Sequence, residues 1–245
     1  MIEINKIYKE DCLKTLKKIK DNSIDLVVTS PPYNMNLRIR NGQYCSRQIV
    51  KEFSTKYEGF SDNLPIDQYY NFHLAVLKEL LRTSSLIFYN IQIVTGSKRA
   101  FFKIIGELSE ELKDIIVWDK GYAQPAMAHR VINRRTELIL VFDSKNAISR
   151  QFEKVNFKRG TLNDIWEIKR GKKVHDSHSA VFPEELVKII LENFSQENDL
   201  IYDPFMGTGT TAIVAKKLKR NFIGSEFTQK YFDLANERLL EIKKD

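Results

Sequence analysis

The sequence predicts an α/β fold with a mostly parallel, seven-stranded sheet and helices on both faces. Short strand-like runs alternate with longer segments of helical spacing, and no apolar run approaches the roughly 20 residues that span a bilayer. The predicted strands are 2–8, 24–29, 86–90, 115–118, 137–142, 200–202 and 222–224. The predicted helices are 12–20, 66–83, 96–112, 182–195, 209–220 and 228–243.

Ligands of such sheets bind beyond the carboxyl ends of the strands. We therefore expect the site to be lined by the residues that end or follow strands, namely those just after Val28, Asn90, Tyr202 and Ile223. Asparagine at a strand end is also a common turn former, so a purely turn-forming role is the alternative for Asn90.

A chain of 245 residues with 42% hydrophobic residues is expected to form a single domain over residues 1–245. Two polar stretches, 35–62 and 143–180, interrupt the alternation and are predicted to be insertions. The N-terminus has no export signal, which predicts a soluble, cytoplasmic protein without membrane contact. The two cysteines and four histidines have no metal-ligand spacing, so no metal site is expected.

A net charge of +7 favours polyanionic partners, although many basic proteins bind no nucleic acid. Charge alone therefore identifies no partner.

The first candidate motif, Thr29-Ser30-Pro31-Pro32-Tyr33-Asn34, directly follows a buried strand. Its two prolines fix an extended, rigid turn. The exocyclic amino group of adenine or cytosine is a poor nucleophile, and acceptors at Ser30 Oγ and the Pro31 carbonyl would orient its lone pair. Tyr33 offers a flat face for an extruded base. The alternative is a plain proline turn with a core tyrosine.

The second motif runs from Asp203 to Thr211, between a strand and a helix. Its glycines would let backbone N–H groups approach a ligand, and the helix start favours an anionic group such as a carboxylate. Glu226 ends the next strand, where an acidic side chain commonly binds ribose hydroxyls. A P-loop is excluded because no Gly-Lys-Ser/Thr follows, and the missing GxGxxG disfavours an NAD-type unit. A structural glycine turn is the remaining alternative.

TSPPYN and DPFMGTGTT together resemble the signature pair of bacterial β-class DNA amino-methyltransferases, over a span from Tyr8 to about Leu239. The resemblance implies a Rossmann-like methyltransferase fold, S-adenosylmethionine as the cofactor and no metal. It implies cofactor contacts from Asp11, His178, Phe182, Asp203, Pro204, Phe205, Gly207, Thr208, Gly209, Thr210 and Glu226. Helix capping by Asp11 and core packing of Phe182 remain alternatives.

The expected partner is double-stranded DNA, with the target base flipped out of the helix. The resemblance places target recognition within 143–180. The basic side chains expected to contact DNA are Arg38, Arg40, Arg47, Lys51, Arg130, Arg134, Arg159 and Arg170. A solvated loop is the alternative for 35–62. For all of these basic side chains, contact with bases and contact with phosphates both stay open. A cognate restriction endonuclease and a homodimer are possible further partners.

The predicted reaction is direct displacement, in which Ser30, Pro31, Pro32 and Tyr33 form the catalytic turn and no covalent enzyme intermediate arises. Ser30 favours cytosine N4 as the target, because N4 members of the family favour SPPY, whereas N6 members favour DPPY or NPPY. Adenine N6 is the alternative. More distant alternatives are an RNA or protein-glutamine methyltransferase and a catalytically dead DNA-binding module.

Overall fold

A computed structural model of the chain describes residues 2–34, 63–94, 96–123, 130–170 and 182–242, together with the backbone of 38–40 and 43–45. The strands are β1 (Lys6–Tyr8), β2 (Ile24–Thr29), β3 (Arg38–Arg40), β4 (Gln43–Cys45), β5 (Ser84–Ile91), β6 (Leu112–Asp119), β7 (Thr136–Asp143), β8 (Ile165–Glu167), β9 (Leu200–Asp203) and β10 (Asn221–Ser225). The helices are α1 (Cys12–Leu16), α2 (Ile66–Thr83), α3 (Lys98–Glu107), α4 (Glu184–Phe194), α5 (Thr210–Lys217) and α6 (Gln229–Glu241).

Eight of these strands form one sheet in the order β1-β10-β9-β2-β5-β7-β6-β8, and β3 pairs with β4 in a separate hairpin. Every neighbouring pair in the large sheet is parallel except those of β7, which runs antiparallel to β5 and β6. The predicted fold class is confirmed.

The sheet has one strand more than the predicted seven. The additional strand, β8, lies within the 143–180 stretch that was predicted to be an insertion and pairs in parallel with β6. Its three residues, Ile165-Trp166-Glu167, are too few to give an alternation signal in the sequence, and only Trp166 is buried. The Trp166 indole N–H donates to the Asn163 carbonyl over 2.8 Å, so a local bond and a long-range pairing hold this edge.

The central strands are apolar because both faces of the sheet are covered. Leu26 and Val28 of β2 point to one face, whereas Val27 points to the other, and all three are fully buried. Helices α4, α5 and α6 cover the first face, and α1, α2 and α3 cover the second. None of the helices in the described part of the chain is long and apolar enough to cross a membrane.

The topology brings several strand ends to one edge of the sheet. β2, β9 and β10 are parallel neighbours or near neighbours, so Thr29, Asp203 and Ser225 end their strands at the same edge. Because β7 runs in the opposite direction, its first residues also lie at this edge, next to the last residues of β5 and β6. The site described below occupies this edge, as the strand-end rule predicts.

Candidate active site

A cavity of about 230 Å³ opens at the carboxyl edge of the sheet. Both sequence motifs contribute to its wall, which fits the prediction that they form one site. It is lined by Glu10, Asp11, Cys12, Ser30, Pro31, Pro32, Tyr33, Phe72, Phe182, Asp203, Pro204, Phe205, Met206, Gly207, Thr208, Thr210, Thr211, Ser225, Glu226, Phe227, Thr228 and Tyr231.

The proline turn after β2 is held from outside the cavity. The Tyr69 hydroxyl of α2 donates to the Pro32 carbonyl over 2.9 Å, and the Asn34 amide donates to the carbonyls of Leu64 and Gly96. Among the residues that the structure describes, none donates to the Pro31 carbonyl. This carbonyl therefore remains an acceptor at the cavity wall. Ser30 Oγ accepts from the Asn90 amide over 3.3 Å and retains one further acceptor position.

A buried polar network lies directly behind this turn. The Tyr33 hydroxyl donates to Glu137 Oε2 over 2.9 Å, and Ser30 Oγ lies 3.1 Å from the same hydroxyl. The Asn90 amide nitrogen lies 2.6 Å from the Tyr33 hydroxyl and 2.8 Å from Glu137 Oε2. Lys120 Nζ donates to Glu137 Oε1 over 3.0 Å. Asn90 thus supports the turn from behind and is absent from the cavity lining.

The sequence analysis missed Glu137 and Lys120. Glu137 lies near the start of β7 and Lys120 directly after β6, and each has other charged residues nearby in the sequence that gave it no distinction. A predicted antiparallel hairpin of β6 and β7 would have placed Lys120 beside Glu137, because such a pairing brings the end of one strand to the beginning of the other.

Asp203 anchors the second motif. Its carboxylate accepts hydrogen bonds from the hydroxyls of Thr29 and Thr211, both over 2.6 Å, and from the Phe205 N–H over 3.0 Å. Burial raises its pKa from 3.8 to about 6, although the two hydroxyls and the N–H favour the charged form. Asp203 therefore joins β2, the glycine turn and the start of α5 while lining the cavity.

The Asp203→Asn variant should change how stability depends on pH. An acid whose folded-state pKa is raised above its unfolded value binds more protons when folded, so its contribution to the free energy of unfolding falls as pH rises from about 4 to above 6. We expect the wild-type protein to lose up to about 3 kcal/mol relative to the variant across this window. Urea unfolding at each pH measures the difference; a difference that stays constant would contradict the burial argument.

Two backbone N–H groups of the glycine turn are engaged within the protein. The Gly207 N–H donates to Glu226 Oε2 over 2.8 Å, and the Gly209 N–H donates to the Met206 carbonyl over 2.9 Å. Gly209 lies outside the cavity lining, between the lining residues Thr208 and Thr210, and its role as a cofactor contact stays a prediction. A Cβ at Gly209 would lie 2.9 Å from Ala235 Cβ of α6, so this glycine serves helix packing.

Replacement of Gly209 by Ala should destabilise the protein by about 1 to 3 kcal/mol. The residue has φ of +86°, and the added methyl would collide with the Ala235 backbone and side chain. Thermal unfolding measures the loss. Gly106→Ala is the matched control, because this α3 glycine has nothing within 4 Å of an added Cβ, and we expect equal or greater stability there. Equal melting temperatures for Gly209→Ala and the wild type would contradict the packing role.

Glu226 is buried at the end of β10, yet it lines the cavity. Its Oε1 accepts from the Thr228 N–H and its Oε2 from the Gly207 N–H, each over 2.8 Å. Burial raises its pKa above the ordinary value. Because an ionised carboxylate has about four acceptor positions, the two oxygens retain capacity for donors in the cavity.

The remaining predicted cofactor residues divide into three groups. Pro204, Phe205, Thr208, Thr210 and Phe182 line the cavity. Asp11 also lines it and accepts the Leu13 N–H over 2.8 Å, so the helix-capping alternative is realised in a residue that faces the cavity. His178 lies outside the described residues.

Several lining residues were not predicted, above all aromatic ones. Phe227 and Tyr231 follow Glu226 within six residues, so extending the strand-end rule further along the chain would have found them. Phe72 lies inside α2, and no local pattern distinguishes it from a helix surface position. With Phe205 and Phe182 these side chains give the cavity an aromatic wall.

The basic residues predicted to contact DNA are placed as follows. Arg130, Arg134, Arg159 and Arg170 are exposed, and within the described part of the chain they form no ion pair. The neighbouring Arg135, in contrast, is paired with Asp119. The β3–β4 hairpin carries Arg38 and Arg40, whereas Arg47 and Lys51 lie outside the described residues.

Comparison with known proteins decides which family has this site. The DNA methylase family of N6 and N4 amino-methyltransferases matches residues 24–237. The chain belongs to this family. Similar members are the type II methyltransferases M.HinfI from Haemophilus influenzae, 30% identical over 98% of this chain and 69% of that protein, and M.BglII from Bacillus subtilis, 28% identical over 96% and 69%.

Solved structures agree on the fold. The PvuII cytosine-N4-specific DNA methyltransferase superimposes with a TM-score of 0.71 at 17% identity, covering 95% of this chain and 85% of that one. The M1.HpyAVI complex with S-adenosylmethionine gives 0.67 at 23% identity, covering 96% and 98%. This DNA methylase family member is therefore an S-adenosylmethionine-dependent enzyme that methylates an amino group in DNA.

The cavity of this methylase suits the chemistry of S-adenosylmethionine. Its wall combines aromatic side chains, which pack against a flat adenine, with the carboxylate of Glu226, which can accept hydrogen bonds from ribose hydroxyls. The adjacent Ser30 and Tyr33 place the proline turn in the same space. Glu226 and the proline turn thus line the same cavity.

Proposed function

We propose that this methylase transfers a methyl group to N4 of cytosine at specific sites in double-stranded DNA. The observation that carries the proposal is the position of Ser30, a neutral hydroxyl in front of the proline pair, in the wall of the cavity that also contains Glu226. In the family, SPPY favours cytosine N4 and DPPY or NPPY favours adenine N6. The PvuII DNA methyltransferase, which shares the fold, is cytosine-N4-specific, and this supports the choice.

In the proposed mechanism, the chain orients two reactants. S-adenosylmethionine supplies an activated methyl group on a sulfonium. Ser30 Oγ and the Pro31 carbonyl accept the two amino hydrogens, so that the nitrogen lone pair faces the methyl carbon. The ring of Tyr33 stacks on the flipped base, and Glu226 holds the ribose. Attack of this nitrogen would form the N–C bond as the methyl–sulfur bond breaks, with S-adenosylhomocysteine as the leaving group. The methylated nitrogen would lose one proton to water, and the enzyme would form no covalent bond.

Nucleoside analysis tests the choice of base. Duplex DNA methylated by the purified protein is digested to nucleosides, which are separated and identified by mass spectrometry. We expect N4-methylcytosine. N6-methyladenine would contradict the cytosine proposal while leaving amino methylation intact, and 5-methylcytosine would contradict the orienting role of the proline turn.

We further propose that exposed arginines contact the DNA and that the target sequence is read by the 143–180 region. The support is the absence of ion pairs at Arg130, Arg134, Arg159 and Arg170 among the described residues. Arginines without intramolecular partners are free to bind phosphates or guanine edges. Methylation-sensitive long-read sequencing of DNA from expressing cells would give the recognition sequence.

The names of the type II relatives also support a role in restriction and modification, with a cognate endonuclease of the same specificity. A homodimer is part of this proposal. Sedimentation with and without duplex DNA measures the oligomeric state.

A further inference from the structure

We propose that Glu137 is a positioning residue for methyl transfer, which acts through Tyr33 to fix the direction of the hydrogen bond donated by Ser30. The inference rests on the proposed amino methylation and adds a residue to its machinery. Glu137 does not line the cavity. Its influence on the reaction has to pass through the hydroxyls in front of it.

The direction of the hydrogen bonds follows from the number of protons available. A carboxylate only accepts, so the single hydroxyl proton of Tyr33 is donated to Glu137 Oε2. The Tyr33 oxygen, which also accepts from the Asn90 amide over 2.6 Å, can then only accept. We infer that Ser30 Oγ, 3.1 Å away, donates its own proton to it. Ser30 Oγ also accepts from the Asn90 amide over 3.3 Å, which leaves its second lone pair as the group presented to the cavity.

A Ser30 hydroxyl that accepts on its cavity side matches what the amino group of the target base requires. An exocyclic amino group carries two hydrogens and needs acceptors, so a Ser30 hydroxyl that turned its proton towards the cavity would oppose it. Burial of the network behind Tyr33 removes water, which would otherwise supply alternative partners and let the hydroxyl rotate.

Two further contacts hold Glu137 in place. Lys120 Nζ lies 3.0 Å from Oε1, and both side chains of this ion pair are buried. The Asn90 amide donates to Oε2 over 2.8 Å. A buried ion pair costs desolvation free energy that burial of apolar residues would avoid. Its position, at the junction of β5, β6, β7 and the proline turn, indicates that it orients the turn.

The experiment combines Glu137→Gln, Tyr33→Phe and the double variant. Gln keeps the shape of Glu137 but can both donate and accept, so Tyr33 no longer has a fixed direction. Phe keeps the stacking ring and breaks the link without touching the ion pair. We expect each single variant to lower the single-turnover rate of DNA methylation by about 10- to 100-fold, with S-adenosylmethionine affinity and KM for DNA unchanged.

The two residues form one chain of hydrogen bonds, so their effects should not multiply. The double variant should methylate DNA within about threefold of the slower single variant. The exposed Glu110→Gln, on the turn after α3, is the control for a change of carboxylate to amide and should retain the full rate.

The outcomes separate this inference from the proposed function. A wild-type protein that methylates no DNA contradicts the function. If the wild-type protein is active, two results overturn the role of Glu137. One is an unchanged rate in Glu137→Gln, and the other is a loss in the double variant that equals the product of the two single losses. If Glu137→Gln unfolds, Tyr33→Phe still decides, because a full rate in this variant overturns the inference.

Discussion

Replacement of Ser30 by Ala should lower the rate of DNA methylation by about 100-fold or more. The variant removes the acceptor that the network behind Tyr33 turns towards the cavity. The amino nitrogen then loses one of the two hydrogen bonds that orient its lone pair. Single-turnover rates with saturating cofactor measure this step without interference from product release.

The affinity of the Ser30→Ala variant for S-adenosylmethionine should stay within about twofold of the wild type, because Ser30 is expected to contact the base. Ser23→Ala is the matched control: Ser23 is exposed at the opposite end of β2. A Ser30→Ala variant with wild-type turnover would show that the serine orients nothing.

The Glu226→Gln variant should show the reverse pattern, with cofactor affinity reduced by about 10- to 100-fold. Glu226 accepts two backbone N–H groups and retains acceptor positions towards the cavity. An amide has one accepting oxygen, so its NH₂ group would oppose either the Gly207 or the Thr228 N–H. Isothermal titration calorimetry measures the dissociation constant.

Glu237→Gln gives the matched control, since it makes the same chemical change at an exposed position on α6. At saturating cofactor, Glu226→Gln should recover most of its methylation rate. An unchanged dissociation constant would remove Glu226 from the cofactor site, and a lost rate at full saturation would assign it to the chemical step.

The parts of the fold that the sequence predicted are those with local signals. β2 and β9 are continuous apolar runs that end in a proline turn and a glycine turn, so both the strands and the site at their ends follow from pattern. α2 was predicted with its observed bounds, Ile66–Thr83, because its apolar spacing is regular over five turns.

The parts that were missed depend on contacts between distant segments. β8 exists because Val117, Trp118 and Asp119 offer a free edge to three residues almost 50 positions later. The ion pair of Glu137 and Lys120 depends on the pairing of β6 with β7, which brings the two side chains together. Gly209 was predicted to contact the cofactor because glycines allow close backbone approach, whereas its packing against Ala235 of α6 depends on a later segment of the chain.

Transfer of a labelled methyl group tests the central claim most directly. The purified protein is incubated with methyl-tritiated S-adenosylmethionine and, in parallel, with duplex DNA, RNA or a glutamine-containing peptide. We expect label in duplex DNA, recovered on an exocyclic amino nitrogen of a base, and none in the other two substrates. Label confined to RNA or peptide, or carried on a ring carbon of the DNA bases, would contradict it.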